Sequence, residues 1–187
     1  MKKIAVLSIV ILFLSFKSNG QLKKGNWLIG GNARLSFQKE TIFSSEARGF
    51  NFNISPDVGY FFIDKLAGGS KFSLFYNKVA FSGGVSKSTK FGIGPFLRYY
   101  FLNIDKRVNL FAESTYEYSH SFNSSGPMGN ENVFTFSAGP VIYFNSSVGI
   151  EFTLNYELFR REGGTSAKTF YLGIGFQIHL EKDYDQQ

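Results

Sequence analysis

Nine ionisable residues stand out by position: Arg34, Asp57, Lys71, Arg98, Glu113, Glu117, Glu151, Glu157 and His179. Each falls inside a run in which apolar and polar residues alternate, and each occupies the polar phase of its run. Cations and carboxylates gathered on one face could relay protons or ions, or could neutralise one another as a packed plug. The plug is the reading adopted here, because buried charges need partners simply to be tolerated. Other chemistry finds little support. There is no cysteine, which removes a thiol nucleophile, a disulfide framework, a Cys-based zinc site and a lipid-anchor cysteine. The two histidines, His120 and His179, are far apart and belong to no metal-binding spacing. Gly83-Gly84 followed by Lys87-Ser88-Thr89 lacks the spacing of a phosphate loop. No residue is nominated as catalytic, no cofactor or metal is expected, and the chain is read as not an enzyme.

Strands of period two must position these charges. The expected apolar phases are Trp27 to Phe37, Phe50 to Phe62, Leu66 to Tyr76, Phe91 to Phe101, Leu110 to Tyr118, Phe134 to Phe144, Val148 to Leu158 and Phe170 to Leu180. The third is the poorest, with Gly68 and Ser70 in its apolar phase. A composition of 23 Phe, 10 Tyr and 20 Gly suits strands better than helices. Pro56, Pro95 and Pro140 lie inside three of the runs, close to Gly59, Gly94 and Gly139, and are read as bulges or bends that curve the sheet. Connections alternate long (Lys39 to Gly49, Asn77 to Lys90, Ser119 to Asn132, Phe159 to Lys168) and short (Ile63 to Lys65, Leu102 to Arg107, Asn145 to Ser147). An up-and-down antiparallel sheet of eight strands with one elaborate rim follows, and it closes best as a barrel.

Which face meets which solvent decides the class. The apolar face is a continuous band of Phe, Tyr, Ile, Leu and Val over every strand, far larger than a soluble monomer exposes. The polar face carries the ionisable residues among many glycines. Lipid outside and polar groups inside make this an all-β, eight-stranded antiparallel up-and-down transmembrane β-barrel, with an interior just wide enough to be filled by side chains. Arg98 and Glu113 fall nearly opposite each other across the turn from Leu102 to Arg107, within an interior charge network of Arg34, Asp57, Arg98, Glu113, Glu117, Glu151 and Glu157.

Residues 1–20 read as a cleaved signal peptide: Lys2 and Lys3 precede an apolar run from Ile4 to Phe16, with small residues at Ser18-Asn19-Gly20. The barrel then occupies 21–180 and a short charged periplasmic tail 181–187. Formal charge falls from +6 to +3 once Lys2, Lys3 and Lys17 leave with the leader, which argues against nucleic acid as a partner. The outer connections carry a mild basic excess, Lys78, Lys87 and Lys90 in the second and Arg160, Arg161 and Lys168 in the fourth. Contact with lipopolysaccharide phosphates is the functional reading of that excess, and ordinary solvated charge the plain one.

Three resemblances bear on function. Gly25-Asn26-Trp27 resembles the Gly-x-Trp of lipocalins, which would imply a soluble ligand-binding barrel, although an interfacial girdle explains Trp27 as well. His120-Ser121 resembles part of the His-x-Ser of outer-membrane lipid A deacylases, with Phe122 where the serine should stand; a lipid-modifying enzyme of deacylase or acyltransferase type is the alternative it implies. Tyr171, Gly173, Phe176 and Ile178 resemble the insertion signal in the last strand of outer-membrane barrels. With Phe91-Gly-Ile-Gly-Pro-Phe-Leu-Arg-Tyr-Tyr-Phe101 and Leu110-Phe-Ala-Glu113, the chain is similar to the small outer-membrane β-barrel family of Gram-negative bacteria, OmpX and the OmpA barrel among them. That resemblance implies an outer-membrane protein acting through its loops or rims, in binding, adhesion, envelope integrity or as a subunit of a larger assembly. Its implied partners are outer-membrane lipid and lipopolysaccharide, the barrel-assembly machinery, and another outer-membrane protein.

Overall fold

The computed structural model describes residues 22–42, 45–81, 83–104, 106–145 and 147–180. The expected leader and the tail at 181–187 lie outside the described residues. Eight strands follow one another, β1 (Trp27–Ile42), β2 (Ser45–Ile63), β3 (Leu66–Phe81), β4 (Gly84–Tyr100), β5 (Val108–Asn123), β6 (Gly126–Tyr143), β7 (Val148–Arg161) and β8 (Ser166–Leu180). Each pairs antiparallel with the next, and β1 pairs with β8 to close the barrel.

The side-chain phase is as the sequence predicts. Phe91, Ile93, Leu97 and Tyr99 of β4, and Phe101 just after it, all point out and are roughly half exposed, whereas Phe96, Arg98 and Tyr100 are buried inside. Along β1 the outward apolar residues run from Trp27 to Phe37, about 23 Å of height at ~3.3 Å per residue and a tilt near 45°. That height matches the roughly 25 Å apolar band of a membrane barrel. Trp27 stacks edge-on against Tyr60 with centroids 5.4 Å apart on the outer surface, so it belongs to an external girdle. The poor alternation in β3 also has a cause. A Cβ on Gly68 would lie 2.7 Å from the Phe62 ring, so the neighbouring strand's aromatic covers the face that β3 leaves bare.

Two expectations are corrected. The outer connections are not long loops: β1 to β4 continue to Ile42, Ser45, Phe81 and Gly84, and β5 to β8 to Asn123, Gly126, Arg161 and Ser166. Above the apolar band both faces of a strand are wet, so alternation disappears from the sequence while the backbone ladder carries on. The prolines, moreover, do not mark bulges. Pairing lapses beside Pro56, Pro95 and Pro140, each on the side of the following strand, yet the register on either side of the lapse is unshifted. The missing N–H breaks the ladder locally. At Gly94 and Gly139 a Cβ would come within 1.7 and 1.8 Å of the carbonyls of Tyr116 and Phe152, so these strands approach too closely there for any side chain. The actual register shifts lie at Phe61/Ile63 and Ser121/Phe122.

The seam between β1 and β8 is short. Its ladder runs from Trp27↔Leu180 to Asn32↔Gly175 and stops, while β1 goes on beside β2 to Ile42 and β8 beside β7 from Ser166.

Candidate functional site

The lumen is organised in three tiers. At the end carrying the short turns, Leu22, Leu28, Phe61, Ala67, Tyr100, Phe111, Val141 and Tyr143 form a buried apolar floor. Leu22 comes from the segment before β1, held by the Lys65 amide donating to the Leu22 carbonyl at 2.8 Å and the Lys24 amide donating to Asp64 at 2.8 Å. The His179 ring sits within this floor, 5.4 Å from Phe61 and 5.6 Å from Tyr143.

Above the floor lies the charge cluster. The β4–β5 register sets Arg98 directly across from Glu113. Arg98 donates through Nε to Glu113 Oε2 at 2.7 Å and through Nη1 to Glu151 Oε1 at 2.5 Å. Its guanidinium stacks 4.5 Å over the Phe111 ring, and Nη1 also reaches Gln177 Oε1 at 3.1 Å. Lys71 donates to Glu113 Oε1 at 2.5 Å and lies 3.9 Å from Asp57. The Tyr100 hydroxyl donates to Gln177 Oε1 at 2.5 Å, and Gln177 Nε2 donates to the Tyr143 hydroxyl at 3.2 Å. Two cations therefore hold three carboxylates, all nearly excluded from water. Gln177 and Tyr143 tie this cluster to the floor beneath it.

The upper tier is open. A polar cavity of about 290 Å3 sits on the charge cluster, walled by Arg34, Glu117, Glu157 and Tyr171 among others. Of the seven residues expected to form one network, Asp57, Arg98, Glu113 and Glu151 come together with Lys71, while Arg34, Glu117 and Glu157 line this cavity instead. At its mouth is a second ionic group that the sequence reading missed. Glu131 accepts from Arg161 Nη2 at 2.5 Å, from Ser121 at 2.9 Å, and pairs with Lys90 at 3.3 Å. Glu131 looked like loop; only by carrying the strand phase past the apolar band could it have been placed inside.

That second group corrects the basic set expected to meet lipopolysaccharide, because Lys90 and Arg161 turn inward to Glu131. Lys78, Lys87, Arg160 and Lys168 keep the outward phase. Lys78 and Lys87 stand directly across from each other, as do Lys39 and Arg48, just above Phe37, Phe50 and Tyr76. Like charges opposed across a ladder repel, so Lys78 and Lys87 concentrate positive charge on the outward face. Arg160 and Lys168 flank an external groove of about 760 Å3 whose floor includes Tyr116, Phe134 and Leu158. Among the described residues, the side chains of Lys78, Lys87, Arg160 and Lys168 enter no ion pair.

The histidine of the deacylase-like pair contributes nothing of that kind. His120 lies on the outer face, its Nδ1 2.6 Å from Asn130 Oδ1 and its ring 4.6 Å from Phe122. Ser121 points the other way, donating to Glu131. Within the last strand, Tyr171 and Gly173 face the lumen, whereas Phe176 and Ile178 face out beside the β1 seam.

A closed eight-stranded meander with an apolar exterior, a charged interior and no helix among the described residues is the transmembrane β-barrel fold that small outer-membrane proteins share. Solved structures agree. OprG from Pseudomonas aeruginosa matches with a TM-score of 0.57 at 14% identity, over 86% of this chain and 98% of that one. Neisserial surface protein A matches with a TM-score of 0.58 at 15% identity, over 83% and 97%. No protein-family model and no curated protein sequence matches the chain.

Proposed function

We propose that this chain is an integral outer-membrane barrel that closes its own lumen and grips lipopolysaccharide phosphates from the side, serving envelope integrity rather than solute passage. One observation carries the reading: Lys78 and Lys87 are opposed on the outward face immediately above the aromatic band, at the depth where lipid phosphates lie. Arg160 and Lys168, diagonal neighbours on β7 and β8, flank an apolar groove suited to an acyl chain. The sharing of a fold with outer-membrane proteins supports the location, and the strand-eight residues Tyr171, Gly173, Phe176 and Ile178 serve in this reading as the signal for the barrel-assembly machinery. The raised rim offers a surface to another outer-membrane protein or to a host surface. The lipocalin-like alternative is not favoured, since the apolar band faces outward.

The test is lipopolysaccharide carried through detergent purification, measured as lipid A phosphate per barrel. Lys78→Glu with Lys87→Glu, and separately Arg160→Glu with Lys168→Glu, should each lower the bound amount several-fold without altering the heat-modifiable gel mobility of the barrel. Unchanged lipid in both variants overturns the proposal.

A further inference from the structure

The short β1–β8 seam leaves two strand edges without each other. From Ala33 on β1 and up to Ile174 on β8, backbone groups on the facing edges have no ladder partner across the seam. This lies within the apolar band, where Leu35 and Phe37 of β1 and Phe170 and Leu172 of β8 point outward, Phe37 at 75% and Leu172 at 80% exposure. An open sheet edge is not tolerated against hydrocarbon; it persists only where polar groups or water cover it. Here the slit backs onto the polar cavity of about 290 Å3, to which β1 contributes Asn32 and Arg34 and β8 contributes Thr169 and Tyr171.

The chemistry at the slit is of two signs. The Arg34 guanidinium sits 4.4 Å over the Tyr171 ring, spanning the gap from β1 to β8. Glu157 of β7 stands diagonally across the ladder from Tyr171 and lines the same cavity. A cation and a carboxylate thus share one small cavity at the edge of an apolar surface. The cavity is at the small end of the roughly 300–1,000 Å3 typical of ligand clefts, room for one compact headgroup and too little for a substituted disaccharide.

We propose that the slit between β1 and β8 is a lateral portal through which one zwitterionic phospholipid of the outer leaflet places its headgroup in the lumen, phosphate toward Arg34 and ammonium toward Glu157, with its acyl chains left in the bilayer. The headgroup covers the exposed strand edges with polar atoms, and the chains cover Leu35, Phe37, Phe170 and Leu172. This inference rests on the membrane-embedded reading above.

The experiment reconstitutes the full barrel into vesicles of equal phosphatidylethanolamine and phosphatidylglycerol, then counts lipids retained by native mass spectrometry after mild detergent release. One phosphatidylethanolamine per barrel is expected, at least tenfold preferred over phosphatidylglycerol. Arg34→Gln combined with Glu157→Gln should remove that preference. Ala33→Cys with Ile174→Cys, the next positions in the seam register, should lose the lipid when oxidised and regain it on reduction; if the pair resists oxidation, the edges stand apart as described and the polar double variant decides. Equal retention of the two lipids, or retention unaffected by the polar variant or by a formed crosslink, overturns the portal. A chain that neither sediments with vesicles nor shows heat-modifiable mobility overturns the membrane reading instead, so the two failures are distinguishable.

Discussion

Arg98→Gln is the sharpest probe of the buried charge cluster. Arg98 is the cation that Glu151 touches, at 2.5 Å, whereas Glu113 also has Lys71 at 2.5 Å. The substitution therefore strands Glu151 without a counter-charge and leaves Glu113 partly compensated. Removing one partner of a buried ion pair costs about 3–5 kcal/mol, which is roughly a 10²- to 10⁴-fold loss in the folded-to-unfolded ratio. Adding Glu151→Gln removes the stranded carboxylate, and should recover about 2 kcal/mol of that loss, within the usual range of coupling between contacting residues. The assay is urea unfolding of the barrel in lipid vesicles, followed by tyrosine and tryptophan emission and by the gel shift between folded and unfolded forms. A single variant within about 1 kcal/mol of wild type, or a double variant no more stable than the single, refutes the view that the cluster is held by Arg98.

Three further outcomes are expected. In planar bilayers the wild-type barrel should show no stepwise conductance, while Phe61→Ala with Tyr100→Ala, which empties two large side chains from the floor, should give discrete openings; identical traces would show that the seal lies elsewhere. Gly94→Ala should prevent assembly of the heat-modifiable form, because its Cβ would meet the Tyr116 carbonyl at 1.7 Å, and normal folding would refute the close approach of β4 and β5. Leu97→Arg, on the outward face near mid-band, should cost about 2–4 kcal/mol in vesicle unfolding, whereas Lys87→Arg above the band should leave stability unchanged; equal effects would contradict the depth assignment.

Strand phase was legible because lipid and lumen impose opposite demands on successive residues, and the pairing of Arg98 with Glu113 followed from phase plus the short connection between them. Rim anatomy was hidden for the converse reason. Where Lys78, Lys90, Glu131 and Arg161 sit, both sides of the strand are aqueous, so nothing in residue type distinguishes ladder from loop, and Lys90 could not be told from Lys87. The proline lapses were half readable: the lost donor is written in the residue, but whether a strand then bulges or merely skips a rung depends on the neighbour's carbonyl, as at Gly94 and Tyr116. The truncated seam left no trace in residue type, because Leu35 and Leu172 obey the outward rule as well as any paired residue.

The length of β2 carries one more implication. Its 19 residues, at ~3.3 Å each and a tilt near 45°, reach about 44 Å, so some 20 Å of sheet rises beyond the hydrocarbon. In the outer-membrane reading proposed above, hydrogen-bonded hairpins of that height stand like a parapet beyond the lipid. A ligand landing on them has little chain disorder to quench, and so keeps more of its contact energy as affinity than it would on slack loops.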